Sequence, residues 1–137
     1  MQTVKILNLT KSFGKIRAVD SLSLDIEKGK ITGLIGADGS GKTTLIRLIT
    51  GLLIPDSGEI TVLGLNPAAQ KEELSTKIGY MPQKFGLYED LSIEENLQLY
   101  ADLKKLPYEF DELLEFTKLM PFKTRLAGAL SGGMKQK

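Results

Sequence analysis

The sequence of 137 residues has the length of a single domain, and its 42% hydrophobic content suffices for a packed core. Eighteen Lys and Arg against 17 Asp and Glu leave a net charge of +1 with no block of one sign, which argues against a nucleic-acid surface, so no nucleic acid partner is expected. The absence of cysteine and histidine excludes a disulfide framework, thiolate or imidazole metal ligands, and histidine-based catalysis.

Residues 2–10 read as a strand in which Val4 and Ile6, and in part Leu7 and Leu9, alternate with polar residues. A turn over 11–15 leads to a second strand over 17–27, where Leu22, Leu24 and Ile26 alternate with Ser21, Ser23, Asp25 and Glu27. The turn at 28–30 enters an apolar run at 31–35, which reads as a buried strand. A glycine-rich stretch follows, and then a helical pattern with Leu45, Ile46, Leu48 and Ile49 at three- and four-residue spacing, closed near Gly51. Pro55-Asp56-Ser57-Gly58 is a turn before a short strand at 59–63. Pro67 predicts a helix over 68–75, and residues 77–82 read as a strand leading to Gln83. Ser92-Ile93-Glu94-Glu95 is a capping box opening a helix to about Lys104, with Ile93, Leu97, Tyr100 and Ala101 on one face. Pro107 predicts a further helix through Thr117, and Ser131 marks another helix start. Antiparallel strands followed by alternating strands and helices predict an α/β fold with a β-rich front. No stretch is long and apolar enough to span a membrane, and the N-terminus lacks a charged-then-apolar leader pattern. The chain is therefore expected to be cytoplasmic, reaching a membrane only through a partner.

Residues 36–43, Gly-Ala-Asp-Gly-Ser-Gly-Lys-Thr, fit the phosphate-loop pattern G-x-x-x-x-G-K-[ST] between a strand and a helix. Triphosphate oxygens require many donors at close range. Glycines at 36, 39 and 41 let the backbone approach an anion, and the N–H groups at the start of the following helix point toward it. Lys42 supplies a positive charge for the β- and γ-phosphates, and the Thr43 hydroxyl is placed to hold Mg2+.

Downstream, Gly79-Tyr80-Met81-Pro82-Gln83 and then Leu130-Ser131-Gly132-Gly133-Met134-Lys135-Gln136 stand in order after the phosphate loop. With this set the sequence resembles the ATP-binding-cassette (ABC) ATPases over its whole length. The second motif looks like their signature, and residues 82–101 are similar to drug- and cation-export members that work with separate membrane subunits. The resemblance implies a phosphate-loop NTPase with an antiparallel β N-terminal subdomain and a helical subdomain, in which 1–82 hold the core β and phosphate-loop region and 83–137 the Gln loop, the helical subdomain and the signature motif. It implies ATP and Mg2+ as cofactors, bound through Gly36, Asp38, Gly39, Ser40, Gly41, Lys42, Thr43 and Thr44. Phe13 would stack on adenine, with Val19 flanking the base. Lys42 and Gln83 would carry catalytic roles, and Gln83 would join Thr43 at Mg2+. Ser131, Gly132 and Gly133 would contact a nucleotide held by a second ATP-binding domain.

Ala37 and Asp38 depart from the Pro and Asn usual in the family, and Asp38 is expected to turn outward or bond within the loop. The sequence ends at Lys137, before the family's Asp- and Glu-bearing strand and switch His, which predicts a fragment that binds nucleotide and hydrolyses it poorly. For the intact protein the resemblance implies an ATPase subunit coupling hydrolysis to export, partnered by a transmembrane permease and peripheral on the cytoplasmic face. A soluble ABC-type ATPase acting on nucleic acid or ribosomes, or a non-catalytic nucleotide-binding fragment, are the alternatives. The apolar residues Phe85, Leu87, Tyr88 and Leu91 read either as a groove for the permease or as cover for the helical core.

Overall fold

The alternation at the N-terminus produces a long hairpin, β1 (Gln2–Phe13) and β2 (Ile16–Glu27), turned by Gly14 and Lys15, with Gly14 at φ +59°. With β3 (Ser57–Val62) the hairpin forms an antiparallel sheet in the order β2-β1-β3. In the computed structural model, residues 2–82 and 86–137 are described. They form two compact units, Met1–Tyr80 and Met81–Lys137.

Two of the four register shifts between β1 and β2 explain why strict alternation fails at Leu9 and Val19. Val4, Ile6 and Leu9 are all buried, although an even period would put Leu9 on the opposite face. Asn8, at φ +49°, is the extra residue. Ile6 pairs with Leu24 and Leu9 with Leu22, so β1 spends three steps where β2 spends two. Ser21, at φ +46°, reverses the imbalance, because Lys11 pairs with Val19, and this brings Val19 into the core. Side chains secure both bulges: Ser23 Oγ accepts from Asn8 N, and Thr10 Oγ1 accepts from Ser21 N.

Helix α1 (Lys42–Ile49) packs Leu45 and Leu48 into the same core as Leu9, Val19, Ile60 and Val62. Its end is a Schellman turn: Leu52 N donates to Arg47 O and Gly51 N to Leu48 O, with Gly51 at φ +71°. Helix α2 (Lys71–Ser75) begins later than the expected 68, because Asn66 Oδ1 accepts from Ala68 N and Ala69 N and holds those residues in a turn.

Two expected strands do not form among the described residues. Residues 31–35 join no ladder, and Ile31 and Ile35 are almost fully exposed. A parallel strand needs neighbours at its edges, and the sheet of this unit is completed by β2, β1 and β3 alone. Residues 77–82 likewise make no ladder; Lys77 N and Ile78 N instead donate to Leu74 O, continuing the winding of α2.

In the second unit, α3 (Ile93–Lys104) opens on the expected capping box: Glu95 N donates to Ser92 Oγ, and Ser92 N to Glu95 Oε2. The other first-turn amides find tertiary acceptors, Ile93 N on Arg125 O and Glu94 N on Lys123 O. Helix α4 (Asp111–Phe116) is shorter than expected from Pro107. Residues 107–110 stay irregular, with the Tyr108 hydroxyl donating to Asp102 and its ring stacked 5.8 Å from Phe110. Ile93, Leu114, Leu119, Ala127 and Leu130 form this unit's core, with Leu87 packed against it. Helix α5 (Gly132–Lys135) starts at Ser131, whose Oγ accepts from Met134 N.

Candidate functional site

The first unit carries an open cleft of about 420 Å3. One wall is the first half of β2, with Arg17, Ala18, Val19, Asp20 and Leu22. The other is the glycine loop and the start of α1, with Leu34, Ile35, Gly36, Ser40, Gly41, Lys42 and Leu45. The loop's path is set by backbone conformation. Gly39 stands at φ +77° and Gly41, the residue before α1, at φ +88°. A β-carbon on Gly41 would lie 2.0 Å from Ala18 O, so the loop contacts β2 through bare backbone. A β-carbon on Gly36 would meet Ser40 Oγ at 2.6 Å.

Lys42 closes the loop on itself. Its Nζ donates to Gly36 O and Ala37 O, both at 2.7 Å, while Ser40 N donates to Ala37 O. One ammonium thus bridges two carbonyls and keeps a third donor in reserve. The amides opening α1 have no acceptor within the helix, and the helix dipole adds positive potential at the same point. Arg17 brings a second cation, paired through Nη1 with Asp20 Oδ1 at 3.0 Å, and both side chains are largely exposed. The cleft is therefore a cationic concavity with an apolar floor of Val19 and Leu45.

Of the residues singled out in the sequence, Val19, Gly36, Ser40, Gly41 and Lys42 meet in this cleft. Thr43 and Thr44 stand in the first turn of α1, Thr43 exposed, and Asp38 and Gly39 lie exposed on the loop. Val19 serves the hydrophobic core as well as the cleft wall. Phe13 does not line the cleft; it ends β1 with its ring half-exposed, 5.7 Å from Lys11 Nζ. Gln83 and Phe85 lie outside the described residues. Ser131, Gly132 and Gly133 belong to the second unit, where all three are exposed. Sequence reasoning missed Ala18, Arg17 and Asp20. The contact of Ala18 is made by its carbonyl and leaves no mark on residue type, whereas the Arg17–Asp20 spacing was a readable signal of a local ion pair.

This fold and loop are those of ABC ATPase nucleotide-binding domains. Residues 19–137 match the ABC transporter family, and the chain belongs to it. It is 58% identical over 125 residues, 88% of its length, to the probable multidrug ABC transporter ATP-binding protein YbhF of Escherichia coli (strain K12). It is 36% identical over 139 residues, 98% of its length, to the sulfate/thiosulfate import ATP-binding protein CysA of Thermosynechococcus vestitus (strain NIES-2133 / IAM M-273 / BP-1). A solved ATP-binding subunit of an ABC transporter superposes with a TM-score of 0.86 at 28% identity, covering 98% of this chain and 58% of that one. The chain spans 22% of the length of the E. coli relative and 41% of CysA.

Members of this family bind ATP, typically with Mg2+, and are in general ATPases that serve transmembrane permeases. The residues of the cleft fit such a ligand. At Gly36 and Gly41 the loop is bare backbone, since β-carbons there would meet Ser40 Oγ and Ala18 O, and Lys42, the first-turn amides and, beside the cleft, the Thr43 hydroxyl are the kinds of donor and ligand that could hold a magnesium triphosphate. No described helix is long and apolar enough to cross a membrane.

Proposed function

We propose that this chain is the nucleotide-holding part of an ATP-driven exporter subunit, and that the cleft between β2 and the glycine loop receives the triphosphate of ATP. The observation that carries the reading is the loop closed by Lys42 on Gly36 O and Ala37 O, pressed against Ala18 through Gly41. Lys42 exchanges its carbonyl partners for phosphate oxygens, a stronger charge-assisted bond. The first-turn amides and Ser40 hold the remaining oxygens. Thr43 would hold Mg2+, which would neutralise charge developing on the transferred phosphoryl group, and the sequence motif assigns Gln83 to the same ion. Val19 flanks the base and Phe13 stacks on it. Asp38, exposed on the loop, stays outside the phosphate grip.

Among the described residues lining the cleft the only carboxylate is Asp20, and it is engaged by Arg17. These 137 residues by themselves therefore grip nucleotide and turn it over slowly, since phosphoryl transfer to water also needs a group that orients the water. In the whole protein, Ser131, Gly132 and Gly133 complete the site of a second ATP-binding domain, and closure of the pair is transmitted to a permease on the cytoplasmic face of the membrane. Export rests on the sequence likeness of residues 82–101 to drug- and cation-export members, while the likeness to CysA, named for import, makes import the competing direction.

Titration with ATP and Mg2+, alongside phosphate release, tests the reading. Saturable binding abolished by Lys42→Ala, with little turnover from these residues alone, is expected. Binding indifferent to Lys42→Ala would overturn it.

A further inference from the structure

The turn before β3 carries a carboxylate that the nucleotide site does not touch. Asp56 Oδ1 accepts from Lys11 Nζ at 2.7 Å, and its Oδ2 accepts from Ser12 N at 2.6 Å. Asp56 N in turn donates to Thr10 O at 2.9 Å. Three consecutive residues of β1, Thr10, Lys11 and Ser12, are thus tied to one aspartate 44 to 46 positions away. Lys11 is the more sheltered partner, its side chain 17% exposed. Its ammonium also lies 5.7 Å from the centre of the Phe13 ring, a cation–π distance.

This clamp sits where the ladder needs help. The pairing of β1 with β3 runs only as far as Thr10 opposite Ser57, so Lys11, Ser12 and Phe13 have no β3 partner. On the other side, the registers at Lys11 and Ser12 against β2 are irregular. The Asp56 carboxylate takes the place of the missing strand, accepting the Ser12 N–H that a ladder carbonyl would otherwise take. Lys11 carries the restraint from Asp56 to the face of the Phe13 ring.

We infer that Asp56 is a positioning residue for the nucleotide base, holding the end of β1 and, through Lys11, the Phe13 ring in the orientation that meets adenine. The inference rests on the reading of Phe13 as the base-stacking residue given above. Among the described residues the hydrogen bonds of Asp56 go to Thr10, Lys11 and Ser12 and not to the phosphate loop, so it acts on the base end of the ligand. The carboxyl is held below the usual carboxylate range, foremost by the Lys11 hydrogen bond and then by the Ser12 N–H, in keeping with an ionised acceptor at this position.

The experiment separates base from phosphate recognition. The sequence contains no tryptophan, so Phe13→Trp introduces a reporter whose signal is isolated by subtracting the parent. In the full chain, affinities for ATP and for inorganic tripolyphosphate are measured with and without Asp56→Asn, and likewise for Lys11→Met. ATP is expected to quench the Phe13→Trp emission while tripolyphosphate leaves it unchanged. Asp56→Asn is expected to weaken ATP binding on the order of threefold to tenfold, a partial loss of one base-stacking contact, with tripolyphosphate affinity unaltered. Lys11→Met combined with Asp56→Asn should add little to either single change, because both remove one restraint. If ATP leaves the Phe13→Trp emission unchanged, the base-stacking reading itself fails. If that emission responds but Asp56→Asn leaves ATP affinity intact, or lowers ATP and tripolyphosphate affinity equally, the positioning role of Asp56 is overturned.

Discussion

Gly41 and Ala18 approach so closely that a β-carbon on Gly41 would lie 2.0 Å from the Ala18 carbonyl oxygen. The obstacle is backbone on both sides, so no rotamer change relieves it. Gly41 also stands at φ +88°, where an L side chain is strained. Gly41→Ala is therefore expected to lower stability by at least about 2 kcal/mol, strain and collision combined, and to abolish ATP binding by displacing the loop from β2. Gly39→Ala isolates the conformational part. It has φ +77° but open space around it, and should cost about 1–2 kcal/mol. Denaturant unfolding and ATP titration of the two variants check this. Equal effects would show that the Ala18 contact is unimportant.

Lys42 gives a prediction that separates folding from binding. Its two carbonyl partners lie in an exposed loop, where each hydrogen bond competes with water. Lys42→Ala should thus change the unfolding midpoint little while removing most nucleotide affinity, because the lost charge matters chiefly against phosphate. Lys42→Arg should not restore it, since the planar guanidinium cannot reproduce a compact ammonium bridging Gly36 O and Ala37 O. Calorimetric titration with ATP and Mg2+ reads both outcomes, and an arginine variant with full affinity would contradict the argument.

How far residue type announced this structure depends on the range of the interactions involved. The glycine loop, the Ser92–Glu95 capping box and the hairpin were legible because each is written within a few neighbouring residues. The failures share another cause. Residues 31–35 have the composition of a buried strand, but a strand exists only where another edge lies beside it, and none does among the described residues. The bulges at Asn8 and Ser21 decide which residues of the hairpin are buried, yet only a positive φ betrays them. At the site, Lys42 and Gly41 could be named in advance. The carbonyl of Ala18 and the clamp of Asp56 on Ser12 N could not, because backbone atoms supply half of each contact.

At Asn96 polarity misleads, since a helix pattern counts it as surface and it is almost wholly buried. Its Oδ1 accepts from Tyr88 N, and its Nδ2 donates to Tyr88 O, Leu91 O and Ser92 O. One amide side chain therefore replaces the secondary structure that residues 86–91 lack. Asn96→Ala strands a buried N–H and several carbonyls, and a cost of about 2–3 kcal/mol is expected. Asn96→Leu should be no better, because restoring volume does not restore the partners. Hydrogen exchange at the Tyr88 amide should accelerate in both variants. Protection retained at Tyr88 would mean that Asn96 does not hold this loop.

The capping box of α3 makes stability depend on pH in a direction that can be worked out. Glu95 accepts from Ser92 N, and this hydrogen bond, followed by the interaction with the Ser92 side chain, holds its carboxyl below the usual carboxylate range. A carboxyl whose pKa is lower folded than unfolded contributes stability that is fully present above the unfolded value and is lost as pH falls through the folded one. Protection of the α3 amides should accordingly be constant near neutrality and decline as pH drops below the ordinary carboxylate range. Glu95→Gln keeps an acceptor for Ser92 N but cannot titrate, so this contribution to the acid-side decline should disappear while neutral-pH stability changes little. Ser92→Ala removes the reciprocal bond to Glu95 N and should cost about 1 kcal/mol at neutral pH, on the scale of a lost N-cap. Amide exchange followed across that pH range distinguishes the two variants. An undiminished acid-side decline at α3 in Glu95→Gln would assign the pH dependence to other carboxylates of the unit, of which Glu89, lowered by its bond to Lys135 Nζ, is the nearest in kind.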